Sequence, residues 1–173
     1  MRAEHINAFL ESTGQVIRTM VKVPITLGKP RLRERNAQPS KVYRVAVTIE
    51  LSGRISGLVV ISLSTPVALA LAGGLMGEVP KALNADCCDA IAELTNMIAG
   101  SAKQQLSAGA GDGAAPLSLS LPVVRVPDDV RYPADLHFIC IPVDCPNGHF
   151  LIEVGLRSQA IAPATPRPTA AAA

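Results

Sequence analysis

The first segment of the chain repeats apolar residues every three or four positions, which is the spacing of one face of an amphipathic helix. Residues 6–21 carry this pattern at Ile6, Phe9, Leu10, Thr13, Val16, Ile17 and Met20. The predicted helix ends before Pro24, and a basic stretch follows with Lys29, Arg31, Arg33 and Arg35. Glu34 and Pro30 interrupt the positive charge, so a solvated connector is favoured over a phosphate site.

The apolar period changes to two after Lys41, which predicts a β-hairpin with half-buried strands. The first strand covers residues 43–51 and the second covers residues 55–63. Ser52-Gly53 supplies the turn between them, because glycine adopts the backbone angles that tight turns need.

A short apolar helix is predicted next, with Thr65 as the N-cap, Pro66 as the first helical residue and an end near Met76. The stretch from Ile55 to Gly77 carries no charge and is long enough to span a bilayer. Its alternating first half, its proline and its Gly73-Gly74 pair instead predict a strand followed by a buried helix. No membrane partner is therefore expected.

The longest predicted helix begins at a cap formed by Asn84 or Asp86 and ends near Leu106. A flexible glycine-rich loop is expected at residues 109–115. Three further strands are predicted at residues 117–124, 136–143 and 149–156. Pro146-Asn147-Gly148 forms the predicted turn between the last two strands.

This order of elements predicts an α+β fold. Short links between strands favour a largely antiparallel sheet of about five strands, with the helices, including the long one, on one face. Residues 1–158 are expected to form this domain. Residues 159–173 are rich in alanine and proline and are expected to form a disordered tail.

The amino-acid composition excludes some classes of protein and of function. The 173 residues are 49% hydrophobic and only 3% aromatic, with a net charge of +2. This apolar content supports one core and excludes overall disorder, and a near-neutral chain with few aromatic rings argues against nucleic-acid binding. The four cysteines form no CxxC pair and the N-terminus has no apolar signal segment, so a cytoplasmic location is expected.

The exposed side of the long helix carries the candidate functional residues. Polar or small residues recur along one strip, opposite an apolar stripe, at Asp89, Glu93, Asn96, Gly100 and Lys103. Glu93 and Asn96 are one turn apart and point outward together. The same Glu-x-x-Asn spacing also occurs at Glu4 and Asn7, so spacing alone favours an ordinary solvated helix face.

Cysteine, histidine and aspartate positions offer weaker alternatives. Two His–Cys pairs suggest a metal site or a thiol nucleophile, namely His137 with Cys140 and His149 with Cys145. No third and fourth ligands converge on either pair, and core packing is the favoured interpretation of the thiols. Cys87-Cys88 begins the long helix, whose dipole lowers a thiol pKa, but lies too far from Asn96 to share a site. Asp128-Asp129 is interpreted as a solvated turn, and no metal site is expected.

The run from Asp89 to Lys103 resembles the signature helix of the CheC/CheX family of chemotaxis phosphatases. That pattern is Asp or Ser, three residues, Glu, two residues, Asn, and a downstream Pro. The similarity spans residues 6–157 and is closer to CheX than to the longer CheC. The segments outside the helix that carry it are Ile6–Phe9, the hairpin around Gly53 and Gly57, Ser118–Pro122 and Gly148–Phe150. Pro122 follows Asn96 at a longer distance than the family spacing, which the glycine-rich loop can absorb.

The resemblance implies that the protein hydrolyses the aspartyl phosphate of a CheY-type response regulator. It implies that Asn96 positions the attacking water, that Glu93 pairs with the regulator's active-site Lys, and that Asp89, Gly100 and Lys103 contact the regulator. Mg²⁺ is expected on the regulator and no cofactor on this chain. The family also implies a homodimer in which the two sheets are joined.

The alternative hypothesis is a binding module without catalysis. The same fold family includes the middle domain of the flagellar switch protein FliM, and a CheX-like or FliM-like domain can dock a response regulator without hydrolysing its phosphate. Both hypotheses use the same helix face. A carboxamide beside a carboxylate favours the enzyme, because a docking surface alone does not need that pair.

Overall fold

A computed structural model describes residues 3–34, 40–108 and 115–158 of the chain. The helices are α1 (Ala3–Val16), which continues into a π-turn (Ile17–Val21), α2 (Thr65–Met76) and α3 (Ala85–Ala108). The strands are β1 (Thr26–Leu27), β2 (Arg31–Leu32), β3 (Val45–Gly53), β4 (Ile55–Leu63), β5 (Leu117–Leu119), β6 (Val123–Arg125), β7 (Phe138–Cys145) and β8 (Gly148–Ser158). The predicted glycine-rich loop and C-terminal tail lie almost entirely outside the described residues.

All strands join one antiparallel sheet, which confirms the predicted α+β class. The sheet order is β1-β7-β8-β4-β3-β5, with β2 also paired to β7 and β6 also paired to β3. The sheet therefore has eight strands rather than about five. The difference comes from β1 and β2, which are too short to show a period, and from a break at 120–122 that divides one predicted strand into β5 and β6.

One face of the sheet packs against the helices. Alternate residues of the four long strands point to this side and are almost fully buried, among them Val47, Ile61, Ile141, Ile152 and Phe150. Helix α3 packs against α1 and α2 and crosses β3 and β5. This arrangement confirms that the helices share one face and fixes α3 as a rigid outer layer.

The opposite face is also covered, which the sequence pattern did not predict. Residues 126–137, including a 3₁₀ turn at Pro127–Asp129, place Val130 and Leu136 against Ala46 and Val60. The segments 45–49 and 58–63 are therefore buried on both sides and are not the half-buried strands that the alternation predicted. Such two-sided burial is typical of central strands covered on both faces.

Short-range capping sets the helix boundaries. The α2 N-cap is Ser64 rather than Thr65, because Ser64 holds the extended backbone that precedes the first turn. For α3, the Oδ1 atom of Asn84 accepts a hydrogen bond from the Cys87 backbone N–H at 2.9 Å, so Asn84 and not Asp86 is the cap. The uncharged stretch forms β4 and α2, and no helix in the described residues is long and apolar enough to cross a membrane.

Candidate functional site

The apolar stripe of α3 determines which side of the helix faces outward. Its members are buried against the sheet and neighbouring helices: Ile91, Leu94, Ile98, Ala102 and Leu106. The Thr95 hydroxyl is also buried and donates a 2.8 Å hydrogen bond to the Ile91 carbonyl within the same helix. With this stripe fixed, the helix cannot rotate without exposing apolar surface, so the opposite strip is held facing out.

The predicted strip lies on the accessible side of α3. Asp89 and Glu93 are exposed, whereas Asn96, Gly100 and Lys103 are partly exposed. Within the described parts of the chain, the side chains of Glu93 and Asn96 make no hydrogen bond or ion pair. Both groups are therefore available to a partner, one helical turn apart on a rigid support.

Gly100 lies one turn beyond Asn96 and has no packing role among the described residues. A Cβ atom added there would meet no atom within 4 Å. Glycine inside a helix costs about 1 kcal/mol relative to alanine. Because neither packing nor backbone geometry requires glycine here, the bare backbone beside Asn96 faces open space.

A buried polar cluster, which no local sequence pattern predicted, lies on the other side of the sheet. Arg33 Nε donates to Glu153 Oε1 at 2.8 Å and the Tyr132 hydroxyl donates to Glu153 Oε2 at 2.5 Å. The Arg33 guanidinium also stacks over the Tyr132 ring, 3.9 Å from its centroid. Arg33 is consequently not part of a solvated connector, because its side chain is only 11% exposed and is ion-paired.

The cysteines behave as packing residues rather than nucleophiles. Burial raises the pKa of the Cys140 thiol to about 12, and the charge of Glu153, 3.5 Å away, acts in the same direction. Burial also raises the pKa of Cys87, so the expected lowering by the helix dipole is wrong for this residue. Neither thiol is therefore ionised near neutral pH.

No metal site is found in the described part of the chain, where no group of three or more His, Cys, Asp or Glu side chains is placed to hold an ion. His137 is exposed and precedes β7, whereas Cys140 is buried within that strand. Asp128 and Asp129 are exposed in the 3₁₀ turn, as the sequence predicted.

Two cavities of about 340 and 360 Å³ open on the face of the sheet opposite the helices. The first is lined by residues such as Arg125, Arg131 and Arg157, and the second surrounds the Arg33–Glu153 pair. Neither cavity includes any residue of α3. The Glu93–Asn96 strip lies outside both cavities, and its exposed side chains suit a protein partner better than an enclosed small molecule.

Known structures share this fold across nearly the whole chain. A CheC-like superfamily protein from Shewanella sp. PV-4 has 26% identity and a TM-score of 0.78, covering 91% of this chain and 100% of that chain. The chemotaxis protein CheX from Vibrio vulnificus has 26% identity and a TM-score of 0.77, covering 90% and 100%. CheX in the CheX-CheY-BeF₃-Mg²⁺ complex from Borrelia burgdorferi has the same fold at 22% identity, with a TM-score of 0.74 and coverage of 91% and 100%.

Sequence comparison gives the family directly. No curated protein matches the chain. The sequence model described as chemotaxis phosphatase CheX matches residues 45–144, more than half of the chain, from the start of β3 almost to the end of β7. The matched segment contains all of α3 with Glu93 and Asn96. The chain therefore belongs to the CheX family of chemotaxis phosphatases.

Proposed function

We propose that this protein hydrolyses the aspartyl phosphate of a CheY-type response regulator. The observation that carries the proposal is the Glu93–Asn96 pair, which is free of intramolecular partners among the described residues and held outward by the buried stripe of α3. Membership in the CheX family supports it. The Borrelia burgdorferi structure, which has this fold, contains CheY together with BeF₃ and Mg²⁺.

Asn96 has the chemistry to position the attacking water. Its carboxamide offers both a donor and an acceptor, so it can hold one water in a fixed orientation. The water oxygen forms a bond to phosphorus while the bond from phosphorus to the regulator's aspartyl oxygen breaks. The aspartate leaves as a carboxylate and both protons of the water leave with the phosphate. Phosphoryl transfer of this kind needs positioning more than covalent help.

Glu93 sets the docking register in this proposal. Its exposed carboxylate pairs with the regulator's active-site Lys, one turn away from the water that Asn96 holds. Asp89, Gly100 and Lys103 extend the contact along the strip, which spans about 21 Å at 1.5 Å per residue. Mg²⁺ belongs to the regulator, and this chain supplies no cofactor of its own.

The homodimer remains a proposal, and the edge strand β6 supports it. Within the described residues β6 pairs with β3 on one side only. Apolar side chains in and around this strand are exposed, notably Leu121 at 84% and Val126 at 57%. An exposed apolar edge strand is a template for pairing with another chain. We assign this edge to a second copy, which would join the two sheets.

The domain assignment is also a proposal. The sheet is complete at Ser158, where β8 ends. We propose that residues 1–158 form the functional unit and that residues 159–173 are dispensable. A chain that ends after Ser158 should dock the regulator with unchanged affinity, which titration calorimetry would measure.

The test is the decay of phosphorylated CheY-type regulators from the source organism, assayed as a panel in the presence of Mg²⁺. Wild-type protein should accelerate the decay of at least one regulator. Asn96→Ala should reduce that acceleration by about 100-fold, in line with the loss of one preorganised polar group in other enzymes. Asn147→Ala is the matched control, because Asn147 is an exposed asparagine in the β7–β8 turn.

Docking must be measured in parallel. Asn96→Ala should retain the affinity of wild type for the BeF₃-loaded regulator, since its proposed role is in the reaction rather than in binding. A regulator that binds wild type without any change in its decay would overturn the phosphatase proposal and leave a docking module of the FliM-like kind.

A further inference from the structure

The cavity of about 360 Å³ that surrounds the Arg33–Glu153 pair contains polar groups that the fold does not use. Ser62 is only 5% exposed, and its hydroxyl makes no hydrogen bond within the described parts of the chain. The hydroxyl of half-buried Tyr43 and the guanidinium of Arg31 likewise have no hydrogen bond or ion pair among the described residues. Buried polar groups are normally hydrogen-bonded, so these groups are left for water or a ligand that enters the cavity.

The register of the sheet brings these groups to one face. Arg31 in β2 lies opposite Cys140 in β7, and Cys140 lies opposite Glu153 in β8. Ser62 in β4 lies opposite Leu151 in β8, two residues before Glu153. Residues that pair across antiparallel strands, and residues two apart along one strand, point to the same side of the sheet. Arg31 and Ser62 therefore both point to the face that carries the cavity, with β7 and β8 between them.

The floor of the cavity is already ordered. Glu153 is 4% exposed, and its two carboxylate oxygens accept hydrogen bonds from Arg33 and Tyr132. Arg33 Nη1 also donates to the carbonyl of Glu34 at 3.2 Å. Because the Arg33–Glu153 pair is neutral as a unit, it neither attracts nor repels a charged ligand strongly. A ligand does not have to order these side chains, so less conformational entropy is lost when it binds.

The unused groups define the chemistry of a ligand for this cavity. Arg31, Ser62 and Tyr43 all offer hydrogen-bond donors, and the arginine adds a positive charge. Burial and the charge of Glu153 raise the pKa of the Tyr43 phenol, whereas the charge of Arg31 lowers it, so Arg31 acts on groups inside the cavity. Glu34 also lines the cavity, but it is exposed and is not among the charges that shift this pKa. One cationic side chain with two hydroxyls suits a singly charged carboxylate better than a multiply charged phosphate.

We propose that this cavity binds a small organic carboxylate. The guanidinium of Arg31 holds the carboxylate through paired N–H donors, and the hydroxyls of Ser62 and Tyr43 donate to its oxygens. The hydrocarbon part of the ligand lies against the apolar part of the wall, formed by Leu151 and Pro127. The volume of the cavity falls within the range of small-molecule sites. The inference is independent of the proposed phosphatase activity, because no residue of α3 lines this cavity.

The first experiment uses hexanoate as the probe and hexanol as its neutral match. In proton–nitrogen NMR spectra of the full-length protein, hexanoate should cause saturable shifts of the backbone amides near Arg31, Tyr43 and Ser62. A dissociation constant of about 1–10 mM is expected for a ligand of this size. Hexanol should bind at least about tenfold more weakly, because it lacks the charge that Arg31 recognises. The absence of saturable shifts with hexanoate, or an equal affinity for hexanol, would overturn the proposal.

The second experiment repeats the hexanoate titration with two variants. Arg31→Gln should weaken binding by about tenfold or more, and Ser62→Ala by about threefold, because each removes a donor to the carboxylate. Neither change breaks a hydrogen bond or ion pair among the described side chains, so both variants should unfold at the temperature of wild type. Arg125→Gln is the matched control, since Arg125 is an exposed arginine of the other cavity. Wild-type affinity in Arg31→Gln, or an equal loss in Arg125→Gln, would show that the carboxylate is not held in this cavity.

Discussion

Glu93 and Asn96 stand on the outer side of α3, while the two residues between them, Leu94 and Thr95, are buried. This alternation ties the geometry of the pair to the protein core. A residue on a loop would need its backbone to be ordered when a partner binds, whereas the backbone that carries these two residues is already fixed by the packing beneath it. The pair is therefore preorganised, and its effects on catalysis and docking can be separated by substitution.

Asn96→Asp tests the carboxamide directly. The substitution keeps the shape of the side chain and replaces its N–H donors with a second carboxylate oxygen. The accelerated decay should fall by about 100-fold, because the water loses a donor contact and the phosphoryl group faces an added negative charge. Stopped assays of phosphoregulator decay measure this loss. Wild-type activity in Asn96→Asp would contradict water positioning by the amide.

Glu93→Gln separates docking from chemistry. The substitution removes the charge that pairs with the regulator's Lys and retains a side chain of the same size. We expect the regulator concentration at half-saturation to rise about tenfold while the maximal decay rate changes much less. The affinity of the variant should also depend less on salt than that of wild type. An unchanged half-saturation concentration would show that Glu93 is not a docking residue.

Gly100→Ala should change stability and docking in opposite directions. The added methyl group meets no atom of the protein, so the variant should be more stable by about 0.5–1 kcal/mol through helix propensity alone. If the regulator packs closely on the bare backbone at Gly100, the same methyl group weakens docking. Urea denaturation measures the first effect and titration calorimetry the second. A variant that is more stable and binds normally would remove Gly100 from the interface.

The buried Arg33–Glu153 pair should be important for stability rather than for activity. Glu153→Gln leaves the Arg33 guanidinium without its carboxylate in a dry environment, and we expect a loss of about 3–5 kcal/mol in the free energy of unfolding. Replacing both residues with leucine should recover part of that loss, because two apolar side chains need no partner, although the Tyr132 hydroxyl loses its acceptor on Glu153. Chemical denaturation of the single and double variants tests this coupling.

Cys140, which contacts Glu153 in the same cluster, makes the stability of the fold depend on pH in the alkaline range. The folded protein holds the Cys140 proton more tightly than the unfolded chain, since its pKa is raised from 9.0 to about 12. The contribution of this thiol to stability is complete below pH 9 and is lost progressively as the pH rises toward 12. Cys140→Ala should reduce the slope of stability against pH over that interval, as measured by denaturation at a series of pH values.

Hydrophobic periodicity predicted those elements whose apolar pattern continues over many consecutive residues. Helix α3 shows six turns of consistent spacing over its 24 residues, so its orientation and the outward position of Glu93 and Asn96 followed from the sequence. Strands β1 and β2 have two residues each and carry no period. The Arg33–Glu153 contact joins positions 120 residues apart, and no local pattern indicates such a pairing.

The sequence pattern did not predict that residues 126–137 cover the second face of the sheet, for a related reason. A strand that is buried on both sides loses the alternation between apolar and polar residues, and β3 retains Thr48 and Glu50 among its apolar positions. These two polar residues give β3 the alternation of apolar and polar positions that is typical of a half-exposed strand. Only the tertiary structure shows that Thr48 is buried, with its hydroxyl donating to the carbonyl of Val123 in β6 at 3.3 Å.

The chain before α3 and the chain from α3 onward exchange short strands, and this exchange between the two halves has a consequence for folding. Neither half can complete its own sheet edge, because β1 and β2 attach to β7 while β5 and β6 attach to β3. The central β4–β8 pairing likewise joins segments that are distant in sequence. Contacts of such high sequence separation slow folding, and they prevent one half from forming a stable sheet ahead of the other. The domain should therefore unfold in a single cooperative transition, and a chain cut between α2 and α3 should regain its structure only when both pieces are present.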